Sequence, residues 1–340
     1  MQIAVVSAPG EVELRETQPP SCGPGQLLVE LGGCGLCTFD RRLFSGETPV
    51  YPTAAGHEPA GRVIEVGQAV AGLPGTPRLG DLVTLDMRTR CGTCSACRRG
   101  RSAICLAAQS QDRADGLISI AGGLAEVIAV GAEHAWVVAD IPIEHAAMGE
   151  PIACVAHSMR RGGFRPGDRV AVVGGGYMGR LHLAMTRAAG AASAGIVEVS
   201  GQRRAEAAAA GADWTAPPEQ AREAGAGSDI VFVTAGAPGA LELAIDLLAK
   251  GGSAVLYGAF PKDLSTGIGP NHMHHEETSI IGVHSHEPED WRTAAGLLSS
   301  GVLTTDLEAL VTARFSLEQV TEGFRLAGSE PVYRVIVGGP

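Results

Sequence analysis

The sequence predicts an α/β fold, with a doubly wound parallel sheet in its second half and a cysteine-rich region of different character before it. Three observations carry that expectation. From about Ala153 onward, short apolar runs alternate with alanine-rich helical text: Arg169–Val173 then Met178–Ala189, Gly195–Val199 then Arg203–Ala210, Asp229–Thr234 then Pro238–Ala249, then Ser253–Tyr257. Such alternation is the pattern of βαβ units. A glycine-rich turn joins the first of these strands to the first helix. The first 150 residues read otherwise, holding seven of the eight cysteines, many Gly and Pro punctuators and short β-like runs such as Leu27–Leu31 and Gly61–Val66. At 340 residues the chain is long enough for two domains, each with its own core.

Bulk composition narrows the partners. Hydrophobic residues make up 45% and charged residues 19%, as in a soluble globular protein. A net charge of −11 argues against nucleic acid or an acidic membrane surface as the main partner. No apolar run reaches the roughly 18 residues of a membrane span. The opening MQIAVVSAPGEVELRE lacks the basic-then-apolar pattern of a secretory signal. The expected location is the cytoplasm, where eight cysteines read as thiols or metal ligands rather than disulfides.

The cysteine cluster is the clearest signal in the first half. Cys91, Cys94, Cys97 and Cys105 form C-x2-C-x2-C-x7-C within CGTCSACRRGRSAIC. Four thiolates so spaced can close a tetrahedral shell around Zn²⁺ with no open position, which makes the site structural. A redox pair would not need four cysteines, and the segment is too polar and glycine-rich to be a run of core thiols. The zinc would pin a lobe, about residues 86–106, that has too little apolar content to pack itself.

In the second half, Gly174-Gly175-Gly176-Tyr177-Met178-Gly179 fits G-x-G-x-x-G. Gly174 makes the tight turn, Gly176 admits a pyrophosphate to the backbone, and Gly179 lets the helix pack on the strand. The helix N-terminus offers free N–H groups to the phosphates. The motif follows a strand, opens a helix and starts a βα series, so it predicts a dinucleotide site. Glu198 lies 19 residues after Gly179, where an acidic residue bonds the ribose 2′-hydroxyl of NAD. Ser200, Arg203 and Arg204 follow closely and could accommodate a 2′-phosphate, but the carboxylate favours NAD over NADP.

Gly56-His57-Glu58 begins the run GHEPAGRVIEVGQAV, which fits G-H-E-x2-G-x5-G-x2-V, and Cys34-Gly35-Leu36-Cys37-Thr38-Phe39-Asp40 lies upstream. With these motifs in this order the chain resembles the zinc-containing alcohol/polyol dehydrogenases of the medium-chain dehydrogenase/reductase superfamily, over nearly its whole length. The resemblance implies a GroES-like catalytic domain (1–152, resumed at 285–340) with a Rossmann domain (153–284) inserted. It implies that Cys37 and His57 ligate a catalytic zinc, and by alignment that Glu150 is the third ligand, with Glu58 as an exchange ligand. Cys154, one helical turn after Glu150, would line the nicotinamide pocket.

The chemistry is consistent with that assignment. A catalytic zinc needs three protein ligands and one open position, and acts as a Lewis acid on an alcohol or ketone. Two zincs per chain are expected, with NAD(H) and a small alcohol or ketone. Glu150-Pro151 resembles the polyol, sugar and threonine members and points to a polyol, sugar or aminocyclitol. Relatives are usually dimers or tetramers. One departure stands out: where the family carries Ser or Thr two residues after the catalytic cysteine to start a proton relay, this chain has Phe39, and Arg42 stands where a histidine is common. A non-catalytic or zinc-free reductase-like member of the superfamily is the alternative. The histidines of NHMHHEETSIIGVHSH (His272, His274, His275, His284 and His286) are read as solvated, and His134, His145 and His182 as structural or surface.

Overall fold

The computed structural model describes residues 1–107, 111–112, 118–119, 122–329 and 331–339. The chain divides into two compact units: Met1–Ala153 together with Glu287–Pro340, and Cys154–His286. Four helices recur below: α1 (Thr38–Ser45), α2 (Gly149–Gly162), α3 (Tyr177–Ala188) and α4 (Val320–Ala327).

The first unit is built on two β-sheets. The long strand Gln26–Gly35 is central to one of them, pairing antiparallel with Glu58–Val66 and with Val127–Gly131. The late strand Arg334–Gly338 returns to the same strand, with Val337 opposite Cys34 and Ile336 opposite Gly35. The two runs foreseen as strands, Leu27–Leu31 and Gly61–Val66, lie within longer strands, Gln26–Gly35 and Glu58–Val66. Their ends were hidden in glycine-rich and polar text, because pairing on both sides rather than β-propensity holds them extended. The core is two apolar clusters. One gathers Ile3, Val5, Leu27, Val29 and Leu85, and the other Leu36, Leu43, Leu124, Phe324 and Val337.

The second unit holds one six-stranded sheet: β1 (Arg169–Val173), β2 (Ser193–Val197), β3 (Trp214–Ala216), β4 (Ser228–Val233), β5 (Leu248–Leu256) and β6 (Ser279–Gly282). The order is β3-β2-β1-β4-β5-β6 and every neighbouring pair is parallel. Strand order therefore reverses at β1, and in open parallel sheets ligands bind at the carboxyl ends beside that reversal. Ala171, Val173, Val231, Val233, Leu241 and Leu247 pack one face of the core. The predicted second strand, Gly195–Val199, overshoots. Val199 is apolar but 77% exposed, because the chain turns at Glu198, whose carboxylate accepts the Ser200 amide at 2.8 Å.

His182 on α3 is fully buried in this unit, against the rings of Phe232 and Tyr257. Its Nδ1–H donates to the Met178 carbonyl at 2.7 Å, and Nε2 accepts from Ser158 at 3.0 Å. That arrangement suits the neutral ring. Burial lowers its pKa to about 4, with the Met178 carbonyl pulling weakly the other way. The unfolded chain binds the proton below about pH 6.5 while the folded chain does not, so the stabilisation is complete above that pH and is lost as pH falls toward 4. In urea titrations the advantage of wild type over His182→Gln should shrink by about 2 kcal/mol between pH 7 and pH 5. A difference that does not change with pH would contradict a neutral buried ring.

Candidate active site and metal centres

Cys37 is the N-cap of α1, and its sulfur accepts the Phe39 amide at 3.0 Å. His57 arrives from the neighbouring chain segment because Gly56 makes a turn only glycine can make. Gly56 has φ of +90°, and an added Cβ would lie 2.8 Å from the Leu124 nitrogen and 2.9 Å from Cys34 Sγ. The result sets Cys37 Sγ 4.0 Å from His57 Nδ1. Glu58 opens the strand Glu58–Val66, and donor atoms of Cys37, His57 and Glu58 all lie within 4.8 Å of one another.

Two buried groups that sequence reasoning missed frame this trio. Asp40 is 1% exposed; its Oδ2 accepts the Cys37 amide at 3.0 Å, and its Oδ1 accepts the Gly56 amide at 3.2 Å. One carboxylate thus fixes both donor-bearing turns, and it also lies 3.8 Å from His57 Nδ1. Arg334, from the late strand, donates to the Leu36 carbonyl at 2.6 Å and pairs with Glu58 Oε1 at 3.3 Å, both side chains nearly inaccessible. Asp40 stood in the quoted cysteine run, three residues into a helix start, where acids cap. Arg334 was the lone charge in an apolar strand, which is itself a signal of a buried partner.

The electrostatics of the trio call for a cation. Burial, then the charges of Asp40 and Glu58, push the Cys37 thiol well above its usual range. Burial pushes the Glu58 carboxyl up to about 7, against Arg334, with Glu150 adding repulsion. For His57 the net direction is upward: burial opposes the charge, and Asp40, Glu150 and Glu58 outweigh it. Glu58 Oε2 is buried with no hydrogen-bond partner among the described residues. A divalent ion would answer the unpartnered oxygen and the crowding of thiol and carboxylates, and the S, N and O donors are those zinc takes. Glu150, near the start of α2, acts on this cluster through its charge, although its oxygens lie outside the 4.8 Å trio.

Phe39 turns its ring edge-on to His57, 6.3 Å between centroids. It offers no hydroxyl beside Cys37. Cys154 lies on α2 one turn beyond Glu150 and is 7% exposed.

The four cysteines converge as spaced. Sulfurs of Cys91, Cys94, Cys97 and Cys105 all lie within 4.8 Å of one another, with Cys105–Cys91 at 3.5 Å and Cys94–Cys105 at 4.0 Å. Amides of Cys91, Cys94 and Cys97 point at sulfurs of the cluster. Those of Cys94 and Thr93 are the main reason the Cys91 thiol falls to about 6. This donor set fits a closed zinc shell. The lobe is also tied by Glu287, 4% exposed, whose carboxylate accepts the Ala103 amide at 2.8 Å and the Ser102 hydroxyl.

In the second unit the glycine turn lies between β1 and α3. A Cβ on Gly179 would sit 1.8 Å from the Gly174 carbonyl, whereas nothing lies within 4 Å of one on Gly176. The first result is the close helix–strand contact expected, and the second leaves room for an approaching ligand. Tyr177 is buried at the first turn of α3, and the Met178 carbonyl is spent on His182. Glu198 is held rigidly, accepting the Gly175 amide at 2.7 Å as well as that of Ser200. Arg204 is drawn to the Glu198 and Val199 carbonyls, at 2.7 and 2.9 Å, while the Arg203 amide caps on Ser200 Oγ. Beyond them is a cavity of about 500 Å³ lined by Val199, Arg204, Thr215 and Glu219 among others.

The histidine-rich stretch divides. His272, His274 and His275 are exposed on the short helix Pro270–Glu276, and His284 is exposed, but His286 is 2% exposed. His145 and His182, read as structural or surface, are both buried, with His145 Nε2 3.1 Å from Glu308.

Comparison with known proteins identifies the family. Residues 23–143 match the alcohol dehydrogenase GroES-like domain, and residues 165–300 match the zinc-binding dehydrogenase family. L-threonine 3-dehydrogenase of Pyrococcus furiosus is 29% identical, over 95% of this chain and 94% of its own. D-altritol 5-dehydrogenase of Agrobacterium fabrum is also 29% identical, with the same coverage. A crystal structure of a Sinorhizobium meliloti 1021 protein, described as a zinc-binding dehydrogenase bound to NADP, superposes with a TM-score of 0.89. It is 29% identical, over 99% of this chain and 98% of that one. Among the described residues no helix is long and apolar enough to cross a membrane.

Proposed function

This chain belongs to the zinc-type alcohol/polyol dehydrogenases of the medium-chain dehydrogenase/reductase superfamily, and we propose that it interconverts a polyol-like secondary alcohol and its ketone with NAD(H). The observation that carries the reading is the meeting of Cys37, His57 and Glu58 within 4.8 Å, around a buried oxygen without a partner. Cys37, His57 and Glu150 would hold the catalytic zinc, and the four cysteines a second, structural one. The unit Cys154–His286 would bind the dinucleotide. When bound, the zinc supplies a Lewis acid for the alcohol or ketone, and the nicotinamide accepts or gives the hydride.

The chain's own residues orient and balance this chemistry. Asp40 fixes the Cys37 and Gly56 turns, so that the thiol and the imidazole face one point. Arg334 holds Glu58 beside them without leaving its charge uncompensated. Phe39 excludes water from one side of His57 and offers an apolar ring to a sugar or cyclitol face. The usual hydroxyl relay is missing, so the proton leaves by Glu58, Glu150 or water. A panel of polyols, simple alcohols and their ketones, followed by NAD(P)H absorbance, tests the reading. Polyols should be turned over faster than simple alcohols. Cofactor binding without turnover anywhere in the panel would favour a non-catalytic member instead.

Three observations support NAD over NADP. Two main-chain amides clamp Glu198, so its negative charge cannot swing away from a 2′-phosphate. Two carbonyls engage Arg204, at 2.7 and 2.9 Å. Glu219 adds a second carboxylate to the adjoining cavity. The Sinorhizobium relative's NADP makes the alternative concrete. Glu198→Ser should shift the NAD:NADP ratio of kcat/KM about tenfold toward NADP, roughly 1.4 kcal/mol of discrimination. An unchanged ratio would remove Glu198 from cofactor choice. The remaining expectations are a cytoplasmic enzyme, assembled as a dimer or tetramer, which sedimentation would test.

A further inference from the structure

A second cavity, about 610 Å³, opens in the first unit between α1 and α4. Its lining includes Arg41, Arg42 and Arg325, with Phe44, whose ring stacks on Phe324 at 5.2 Å between centroids. Three arginines on one cavity are notable in a chain of net charge −11. Arg42 is partly neutralised by Glu47, at 3.6 Å. Among the described residues Arg41 and Arg325 have no ion-pair partner, and both are exposed.

Arginines in the last turn of a helix have an ordinary purpose, to offset the partial negative charge there. Arg42 and Arg325 occupy such positions. The magnitudes decide whether that purpose exhausts them. Each helix end carries about half a negative charge. Two ends and Glu47 thus offset about two of the three positive charges, and about one remains. Desolvating that residue of charge is minor at an open cavity, and guanidinium forks match the oxygens of carboxylate or phosphate. The volume is within the roughly 300–1,000 Å³ of small-molecule sites. Thr38 and Ser329 also line the cavity, with the Ser329 hydroxyl donating to the Leu326 carbonyl at 2.7 Å.

We propose that the α1–α4 cavity binds the phosphate of a small organic phosphate, with Arg41 and Arg325 as its principal contacts. Thr38, which lines the cavity, directly follows Cys37. The phosphate therefore has two possible sources. It is part of an alcohol substrate reaching the Cys37 site, which rests on the dehydrogenase reading above, or it belongs to a separate ligand, which does not.

The test is calorimetric titration of the intact protein with inorganic phosphate and with sorbitol 6-phosphate, sorbitol serving as the uncharged control. The same titrations are made on the double variant Arg41→Ser/Arg325→Ser. Both positions are exposed, so the fold should survive, which thermal unfolding checks. The expected result is phosphate binding by wild type that weakens at least tenfold in the variant and falls with added salt. Equal affinity of the two proteins, or no binding of either phosphate probe, overturns the proposal. Kinetics then separate the sources. A KM for sorbitol 6-phosphate raised tenfold in the variant, with that for sorbitol unchanged, assigns the phosphate to the substrate. Calorimetric loss without a change in either KM assigns it to a separate ligand. Since calorimetry needs no turnover, failure of the dehydrogenase reading would be seen in the assays and not in the binding.

Discussion

Cys37→Ser should lower kcat/KM by about 10³-fold or more, equivalent to about 4 kcal/mol of transition-state stabilisation, while the protein stays folded. The reason is local. The thiol is one of three donors converging within 4.8 Å, and a serine oxygen is a much poorer zinc ligand than a thiolate. Removing Lewis acidity forfeits several kcal/mol that no other group in the trio supplies. Metal analysis gives the sharper reading. Wild type should carry two zincs per chain and the variant one, because the four-cysteine cluster uses none of the same atoms. Two zincs retained in Cys37→Ser, with activity intact, would sink the catalytic assignment.

Arg334→Ala is expected to cost about 3–5 kcal/mol of folding stability, the range for stripping one partner from a buried ion pair. Glu58 is 2% exposed and keeps its place at the end of a paired strand, so it cannot turn to water. The Leu36 carbonyl would also lose its donor. Denaturant unfolding measures the loss, and a double-mutant cycle explains it. Adding Glu58→Gln to Arg334→Ala should restore much of the stability, because the orphaned charge is gone. If the losses of the two single variants simply add in the double variant, the pair is not coupled and the frame described around Glu58 is wrong.

These two predictions also mark where the sequence was readable. The glycine turn and the four cysteines could be read because each depends on short spacing, which the chain writes out directly, whereas Cys37 and His57 were singled out by the resemblance of their runs to a family. The parallel sheet could be read for the same reason, since buried strands and their helices repeat at local periods. Arg334 could not be assigned, because its meaning comes from a partner strand at the other end of the chain. Asp40 was visible but its task was not: one carboxylate serving two turns is a fact of three dimensions. Val199 shows the opposite error. Its apolarity extended a predicted strand past the point where Glu198 captures the next amide. Glu150 lies between these cases, placed by counting along the chain and acting on the trio by its charge rather than within it.

The pairing of Cys34 with Val337 has a consequence for how the enzyme is made. Ribosomes add about 5–20 residues each second, so a partner roughly 300 residues downstream emerges about 15–60 s later. Until then the nascent chain holds Cys37, His57 and Glu58 beside an unpaired strand edge, with no guanidinium for the glutamate. Synthesis therefore separates the writing of the site from its completion, and the interval falls when the half-built sheet is most open to chaperones or to another copy of itself.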